Sequence, residues 1–217
     1  EGIDYVVLEQ APALTEVGAG IQLSPNGVRI LERLGLADDL SGFGVEPESH
    51  QLKNWKTGET VLQTPLKAVV KDTFGAPYYH AHRADLIDAL ADRLNPNRLR
   101  LNTRVVSVSQ DGDKVTAWLA DGSSEIGDVL IGADGIHSVI RNQVFNPEPP
   151  RPSGYVAWRG MVSASRTDHL VIDKQSVAVM GPGLSIVFYY VSSGAKINWV
   201  AIGTSKNEIN ESWSQTA

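Results

Sequence analysis

The pattern of apolar positions predicts a mixed α/β chain that opens with a buried strand. Residues 2–9 form a nearly continuous apolar run that ends in an acid, and residues 128–131 form a second such run. Continuous rather than alternating apolarity is typical of parallel strands covered on both faces. Apolar residues at helical spacing predict helices over about residues 25–34 and 83–94, and a further helix is expected from about Ser138.

Other segments predict antiparallel strands joined by short turns. A hairpin is expected over residues 51–63, because a Lys-Thr-Gly sequence separates its two halves. Asp-Gly turns separate three further segments, and five more follow a proline-rich stretch at residues 146–152. The segments expected to be strands are 99–110, 114–119, 124–126, 155–162, 169–172, 176–180, 185–191 and 196–202.

The proline-rich stretch, with four prolines in seven residues, is the predicted boundary between two domains. Residues 1–150 are expected to form an α/β, Rossmann-like domain with a β-hairpin inserted near residues 50–65. Residues 151–217 are expected to form a mostly antiparallel β portion. Because the chain opens almost directly into a strand without Met and ends as abruptly, we expect it to be part of a longer protein.

Composition and charge narrow the classes of function. The 217 residues carry a net charge of -6, which argues against a nucleic-acid or anionic-membrane binder, because such proteins need a basic face. No apolar run approaches the roughly 20 residues that cross a bilayer. The chain has no cysteine, which excludes disulfides and thiolate zinc sites and fits a reducing cytoplasm.

Glu9 is the first candidate binding residue. An acid that closes a buried parallel strand accepts hydrogen bonds from an adenosine ribose in dinucleotide-binding folds. The alternative is a solvated strand end. Glu9 taken by itself favours this alternative, because the glycine-rich turn that normally precedes such a strand is not in this sequence.

Arg83 is the second candidate, because it opens a predicted helix. The helix dipole disfavours a cation there, so an anion such as a phosphate sharing the site explains the arginine. The alternative is an ion pair with Asp85 or another surface carboxylate, and both interpretations stay open.

The Gly-Ala-Asp-Gly motif at residues 132–135 follows a predicted buried strand, so its backbone can approach a ligand. Asp134 can orient backbone amides or accept a bond from a sugar, and Arg141 can serve a phosphate; a structural turn is the alternative. His80 and His82 are expected on one face of a strand, where two imidazoles make a poor metal site, so no metal is expected.

Five segments in this order resemble the single-component FAD-dependent aromatic monooxygenases, the family of salicylate, hydroxybenzoate and hydroxynicotinate hydroxylases. The resemblance covers essentially the whole chain. It is carried by YVVLE at 5–9, VGAGIQLSPNG at 17–27, HRADL at 82–86, GADGIHSVIR at 132–141 and YVAWRG at 155–160.

The resemblance implies a partial FAD-binding domain followed by part of a substrate domain, and it implies roles for single residues. Glu9 binds the adenosine ribose of FAD, the loop through Gly20 and Gln22 runs along the cofactor, and Arg83 lies beside the pyrophosphate and flavin. The strand at Val105 and Val106 offers backbone groups to the adenine. Asp134, with Arg141 behind it, belongs to a motif linked to both FAD and NAD(P)H.

The substrate pocket is expected around Gln22, Tyr189 and Trp199, and Arg159 is a candidate for a substrate carboxylate. In some relatives the position of Gln22 holds a histidine that acts as the catalytic base. Glutamine cannot act as a base, so the catalytic base of this protein is unassigned. The family's Gly-rich loop and Gly-Asp motif are expected before residue 1 and after residue 217. The isolated chain is therefore expected to bind FAD poorly and to purify colourless.

The implied reaction is hydroxylation of a small aromatic compound with NAD(P)H and O2, through a flavin hydroperoxide. The partners expected are the aromatic substrate, O2 and a second copy in a homodimer, with a cytoplasmic location. Two alternatives stay open: a non-hydroxylating flavin oxidoreductase of the same fold, and a catalytically incompetent fragment that acts as a binding module.

Overall fold

In the computed structural model, which describes residues 2–14, 19–167 and 174–205, helices and strands alternate before residue 150 and strands dominate after it. The strands are β1 Val7–Leu8, β2 Gly20–Leu23, β3 Ser49–Asn54, β4 Thr60–Pro65, β5 Tyr79–His82, β6 Leu99–Arg100, β7 Val105–Asp111, β8 Lys114–Leu119, β9 Ser124–Gly127, β10 Tyr155–Ser163, β11 Ser176–Gly181, β12 Leu184–Val191 and β13 Lys196–Thr204. The helices are α1 Pro25–Arg33, α2 Ala37–Phe43, α3 Val70–Phe74, α4 Arg83–Ala91 and α5 Val139–Phe145.

These elements form two compact units, and each is made of two stretches of chain. The first unit comprises residues 2–14 and 94–152, and the second comprises residues 19–93 and 153–205. The units also divide the chain near residue 152, but residues 19–93 belong to the same unit as residues 153–205. The predicted division into residues 1–150 and 151–217 therefore stays a prediction.

A six-stranded sheet dominates the second unit, in the order β10-β13-β12-β11-β3-β4. All neighbours are antiparallel except β3 and β11, which run parallel. The strands predicted at 155–162, 176–180, 185–191 and 196–202 are therefore confirmed, whereas the one predicted at 169–172 lies outside the described residues.

The predicted hairpin is present as β3 and β4, and it extends the same six-stranded sheet. Its turn is fixed by Asn54, whose Oδ1 accepts a hydrogen bond of 2.8 Å from the amide of Lys56. Gly58 completes the turn at a positive φ of 71°, a conformation that glycine adopts without steric cost.

Helices pack on the short antiparallel pair of β2 and β5 and form the apolar core of the second unit. The predicted first helix begins one residue after Ser24, with Pro25 at its first position. The strand expected at His80 and His82 is present as β5, whereas the sequence pattern did not predict β2, α2 or α3. The buried core residues are Leu23, Val28, Leu36, Leu40, Ala76, Tyr79, Ala81, Leu86 and Ala89.

In the first unit, β1 pairs in parallel with β6, and β7, β8 and β9 form an antiparallel sheet. Three strand predictions are wrong in extent, and the one over residues 99–110 is split into β6 and β7, with residues 101–104 outside any strand. Only Val7–Leu8 of residues 2–9 is strand, and residues 128–131 belong to no strand, with Val129 and Ile131 at least 80% exposed. Ladder hydrogen bonds need a neighbour, and no described strand pairs with residues 128–131.

Candidate functional site

Six polar and aromatic side chains converge where the β2–β5 pair meets the six-stranded sheet of the second unit. Gln22 and His80 stand opposite each other in the β2–β5 ladder, and Ser176 and His50 stand opposite each other in β11 and β3. We call this set the polar cluster; its members are Gln22, His50, Tyr78, His80, Ser176 and Tyr189.

A chain of hydrogen bonds runs through the polar cluster. The Tyr78 hydroxyl donates to Oε1 of Gln22 at 3.0 Å, and Nε2 of Gln22 donates to Oγ of Ser176 at 3.2 Å. Oγ of Ser176 also lies 3.0 Å from Nδ1 of His50. Because Ser176 accepts from Gln22, its own proton can go to Nδ1, which fits the His50 tautomer protonated at Nε2.

His80 forms the buried floor of the polar cluster. Its ring lies 4.3 Å from the Tyr189 ring, tilted by 32°, and 5.6 Å from the Tyr78 ring in an edge-on arrangement. Its two ring nitrogens are buried and find no hydrogen-bond partner among the described residues. Burial, and then the nearby His50, lower the pKa of His80 to about 3, so the ring is neutral at physiological pH.

The two tyrosines of the polar cluster are also neutral. Burial is the largest cause that raises the pKa of Tyr189 to about 12; Tyr78 raises it further and Arg159 opposes the shift. Burial raises the pKa of Tyr78 as well. Both phenols therefore stay protonated and able to donate hydrogen bonds, and neither supplies a tyrosinate base near neutral pH.

Arg159 lies on the same face of the six-stranded sheet as Tyr189. It stands opposite Val200, which in turn stands opposite Val187, two residues before Tyr189 on β12. Side chains two residues apart on a strand share a face, so an exposed guanidinium lies on the side of the sheet that carries the polar cluster.

Trp199 lies on the opposite face, so the structure brings together only two of the three predicted substrate residues. Tyr189 pairs with Asn198, and Trp199 is the next residue along β13. Its ring covers Gly160, where an added Cβ would come within 2.8 Å of the indole. Gln22 and Tyr189 meet at the polar cluster without it.

Gly20, a predicted cofactor residue, makes a close approach to the six-stranded sheet. Its amide donates a hydrogen bond of 2.8 Å to Oδ1 of the buried Asn198. A Cβ at this position would lie 2.7 Å from the Asn198 side chain and 2.9 Å from the Tyr189 ring, so the contact requires glycine.

Arg83 is the first residue of α4, as the sequence predicts. Its amide donates to the carbonyl of Ala19, which continues the β2–β5 ladder into the helix. Oδ1 of Asp85 lies 3.4 Å from Nδ1 of His82, and Oδ2 of Asp85 accepts a hydrogen bond of 2.8 Å from the Ser192 hydroxyl.

Glu9, in the first unit, follows β1 directly, at the carboxyl end of a parallel strand. Its backbone continues the β1–β6 pairing, because its amide donates to the carbonyl of Arg100. Its Oε1 accepts a bond of 2.7 Å from the amide of Ala11, which fixes the direction of the side chain.

Val105 and Val106 begin β7 at a bulge. Val105 pairs with Leu119 and Ser107 pairs with Trp118, so Val106 is the extra residue of the ladder. A bulge residue does not share the regular pairing with the neighbouring strand, and its backbone groups are available to other partners.

The carboxylate of Asp134 holds the start of α5. It accepts hydrogen bonds from the Ser138 hydroxyl and from the amides of Val139 and Ile140. Burial opposes ionisation, but the bonds from Ser138 and these amides outweigh it and lower the pKa of Asp134. Arg141 turns back onto the same loop, where its guanidinium donates to the carbonyl of Ile136.

No described helix combines the length and apolarity that crossing a membrane requires.

With this geometry established, comparison with known proteins identifies the class. The family model described as "FAD binding domain" matches residues 1–204. The chain belongs to this family, and the predicted resemblance and α/β fold class are confirmed. FAD is confirmed as the cofactor of the family.

Particular relatives are flavoprotein hydroxylases. A 3-amino-4-hydroxybenzoate 2-monooxygenase of Streptomyces cremeus is 40% identical over 207 residues, which are 95% of this chain and 52% of the relative. A 6-hydroxynicotinate 3-monooxygenase of Pseudomonas fluorescens is 35% identical over 161 residues, 74% of this chain and 42% of the relative. Klebsiella pneumoniae HpxO, solved with FAD and uric acid, superposes with a TM-score of 0.79 at 30% identity, covering 92% of this chain and 50% of that one. The chain spans about half the length of the curated relatives it matches.

Several residues of the site carry no local signal in the sequence. Ser176, Asn198 and His50 belong to no recognisable motif, and only the fold brings them to Gln22 and Gly20. A buried polar residue in an apolar strand, such as Asn198 between Ile197 and Trp199, is the one pattern that could have pointed to them.

Proposed function

We propose that the protein containing this chain is an FAD-dependent monooxygenase that hydroxylates a small aromatic compound of the hydroxybenzoate or hydroxynicotinate type. In the reaction, NAD(P)H supplies two electrons, one oxygen atom of O2 enters the aromatic ring, and the other leaves as water. The relatives named above support this class of substrate, since their names specify hydroxybenzoate and hydroxynicotinate substrates.

The observation that carries the proposal is the polar cluster. It combines aromatic rings from Tyr78, His80 and Tyr189 with hydrogen-bonding groups from Gln22 and Ser176 in one place. Flat apolar surfaces with a few directed polar groups are what a small hydroxylated aromatic ring needs for orientation. We assign Gln22 and Tyr189 to substrate binding.

The charge of the site favours an anionic substrate. Tyr78, His80 and Tyr189 are neutral for the reasons given above, and Arg159 places a permanent cation on the same sheet face. A guanidinium pairs well with a carboxylate, so an aromatic acid is the preferred substrate. His50 ends the hydrogen-bonded chain, with Nδ1 3.0 Å from Oγ of Ser176.

The first unit fits the adenosine part of FAD. Glu9 stands at the carboxyl end of a parallel strand with its side chain oriented by Ala11, which suits hydrogen bonds from a ribose. Val105 begins the strand and Val106 forms its bulge, which leaves backbone groups for the adenine. We assign these three residues to adenosine binding.

Gly20, Gln22 and Arg83 are assigned to FAD in the second unit. Arg83 opens α4, where a phosphate is favoured both by the guanidinium and by the helix terminus. Bound FAD supplies the electron transfer from NAD(P)H to O2.

Asp134 and Arg141 are assigned to the cofactor motif, with an indirect role for the carboxylate. Because the Asp134 oxygens accept hydrogen bonds from the start of α5, this side chain shapes the loop whose backbone we assign to cofactor binding. Arg141 supports the same loop through Ile136.

The test uses the full-length protein that contains this chain. Purified protein is mixed with NADH or NADPH and with 3-amino-4-hydroxybenzoate, 6-hydroxynicotinate or 3-hydroxybenzoate in turn. We expect one of these acids to stimulate NAD(P)H oxidation and to yield a product with one oxygen atom from labelled O2. Stimulated oxidation without a hydroxylated product would indicate the non-hydroxylating oxidoreductase, and a protein without flavin or turnover would indicate a binding module.

Homodimer formation and a cytoplasmic location stay predictions. Light scattering of the full-length protein and cell fractionation check them.

A further inference from the structure

Asn198 connects two parts of the second unit that are far apart in sequence. It is fully buried in β13, and its Oδ1 accepts the 2.8 Å hydrogen bond from the amide of Gly20. Because the amide of Arg83 donates to Ala19, the next pair of the ladder, Gly20 with His82, is a non-hydrogen-bonded pair. The N–H of Gly20 therefore points away from β5, and Asn198 takes the place of a missing strand neighbour.

The oxygen of the Asn198 side-chain amide has a partner, whereas its nitrogen has none in the described part of the chain. Nδ2 of Asn198 is buried and has no hydrogen-bond partner among the residues that the structure describes. An unpaired buried amide costs free energy, whereas an apolar side chain of similar size does not. The hydrogen bond from the Gly20 amide, which an apolar side chain could not accept, offsets this cost.

That contact fixes the strand that carries Gln22. Gly20 and Gln22 are two residues apart on β2, so they face the same side. Gln22 in turn links Tyr78 to Ser176 on β11. Asn198 and Gln22 thus attach the same short strand to the same sheet at two points.

We infer that Asn198 is a positioning residue that sets Gln22 at the substrate site by anchoring the amide of Gly20. The inference rests on the proposed function for the role of Gln22 in substrate binding, whereas the anchoring itself does not depend on it. Asn198 acts through β2 and does not touch the reacting groups.

The first measurement is hydrogen exchange in the full-length protein without ligand. Asn198→Ala removes the acceptor, and we expect the peptide covering residues 19–23 to exchange about tenfold faster. Ser49→Ala is the matched control, because Ser49 is a buried hydroxyl in the same sheet that bonds to Gln175 and Gln63 rather than to β2. It should leave that peptide unchanged.

The second measurement is a double-mutant cycle in thermal unfolding. Gln22→Ala and Asn198→Ala should shift the melting temperature by less together than the sum of their separate shifts, because either change already loosens β2. Gly20→Ala disturbs the same contact at the donor instead of the acceptor, and it is used in place of Asn198→Ala if Asn198→Ala does not fold. Gly20→Ala should also speed the exchange of the peptide covering residues 19–23. Additive shifts together with unchanged exchange overturn the inference.

The third measurement connects the anchor to the site. The dissociation constant of 3-amino-4-hydroxybenzoate, measured calorimetrically, should rise at least about fivefold in Asn198→Ala and stay unchanged in Ser49→Ala. If the unsubstituted protein binds none of the three aromatic acids, the proposed substrate class is wrong, while the exchange and unfolding results still decide the anchor. If it binds them and Asn198→Ala binds equally well, the positioning role is wrong.

Discussion

The neutral, buried His80 makes the stability of the second unit depend on pH in a defined direction. Its pKa is about 3 in the folded protein, against 6.5 for an unperturbed histidine. A lowered pKa means that the unfolded chain takes up the proton first, so acid favours unfolding. The contribution is fully present above pH 6.5 and is lost progressively as the pH falls from there toward 3.

The magnitude follows from the two pKa values. One pKa unit corresponds to about 1.4 kcal/mol, and a drop from about pH 7.5 to about pH 5.5 spans roughly one unit below the unfolded value. The free energy of unfolding should therefore fall by about 1.4 kcal/mol from this residue alone. Replacement by phenylalanine keeps the aromatic contacts with Tyr78 and Tyr189 and removes the proton.

The assay is urea unfolding, followed by tryptophan fluorescence, at the two pH values. His80→Phe should lose about 1.4 kcal/mol less stability than the unsubstituted protein on acidification. It should be no less stable near neutral pH, because it removes two buried nitrogens without partners. Ser49→Ala, a change at a buried hydroxyl of the same unit that does not titrate in this range, is the control and should show the unsubstituted pH dependence. An equal loss of unfolding free energy on acidification in His80→Phe and in the unsubstituted protein would refute the conclusion that the His80 ring is buried and neutral.

Other predictions concern the charge of the site, the packing of the sheet and the cofactor. Arg159→Ala should raise the KM for an aromatic acid about tenfold and leave that for a neutral phenol unchanged, as measured by substrate-stimulated NAD(P)H oxidation. Gly160→Ala should cost about 1–3 kcal/mol in thermal unfolding, because its Cβ would come within 2.8 Å of the Trp199 ring; an unchanged melting temperature would contradict that packing. Asp134→Ala should cost about 1 kcal/mol through the lost start of α5, and equal stability would show that Ser138 alone holds that helix start. Glu9→Gln should weaken FAD binding about tenfold in a fluorescence titration of the apoprotein, whereas retained affinity would remove Glu9 from the adenosine site.

The predictable part of the fold is the part encoded locally. The hairpin of β3 and β4, the helix that Pro25 opens and the strands β10 to β13 follow from turn residues and alternation over a few positions. Residues 128–131 could not be assigned correctly in this way, because an apolar run becomes a strand only where a neighbour pairs with it. Their sequence shows a tendency to form a strand but does not show whether a partner strand is present.

The site residues also fall into those that a local motif predicts and those that only the fold brings together. Glu9, Arg83 and Asp134 stand next to recognisable motifs; Glu9 directly follows β1, Arg83 opens α4, and Asp134 lies in the loop before α5. The face on which a residue lies depends on register, which is why Tyr189 reaches the polar cluster and Trp199 does not. Ser176 and Asn198 act through contacts with residues more than 150 positions away, which no local pattern encodes.

The parallel pairing of β3 with β11 has a consequence for how the molecule is made. The ladder joins His50 to Ser176, so the earlier hairpin emerges from the ribosome long before the strand that completes its sheet. Closing so long a loop is entropically costly and slow. During synthesis, the edge of β3 that later pairs with β11 therefore stays unpaired while the intervening residues are translated. In this interval an unpaired strand edge is most exposed to aggregation, and chaperone binding would protect it.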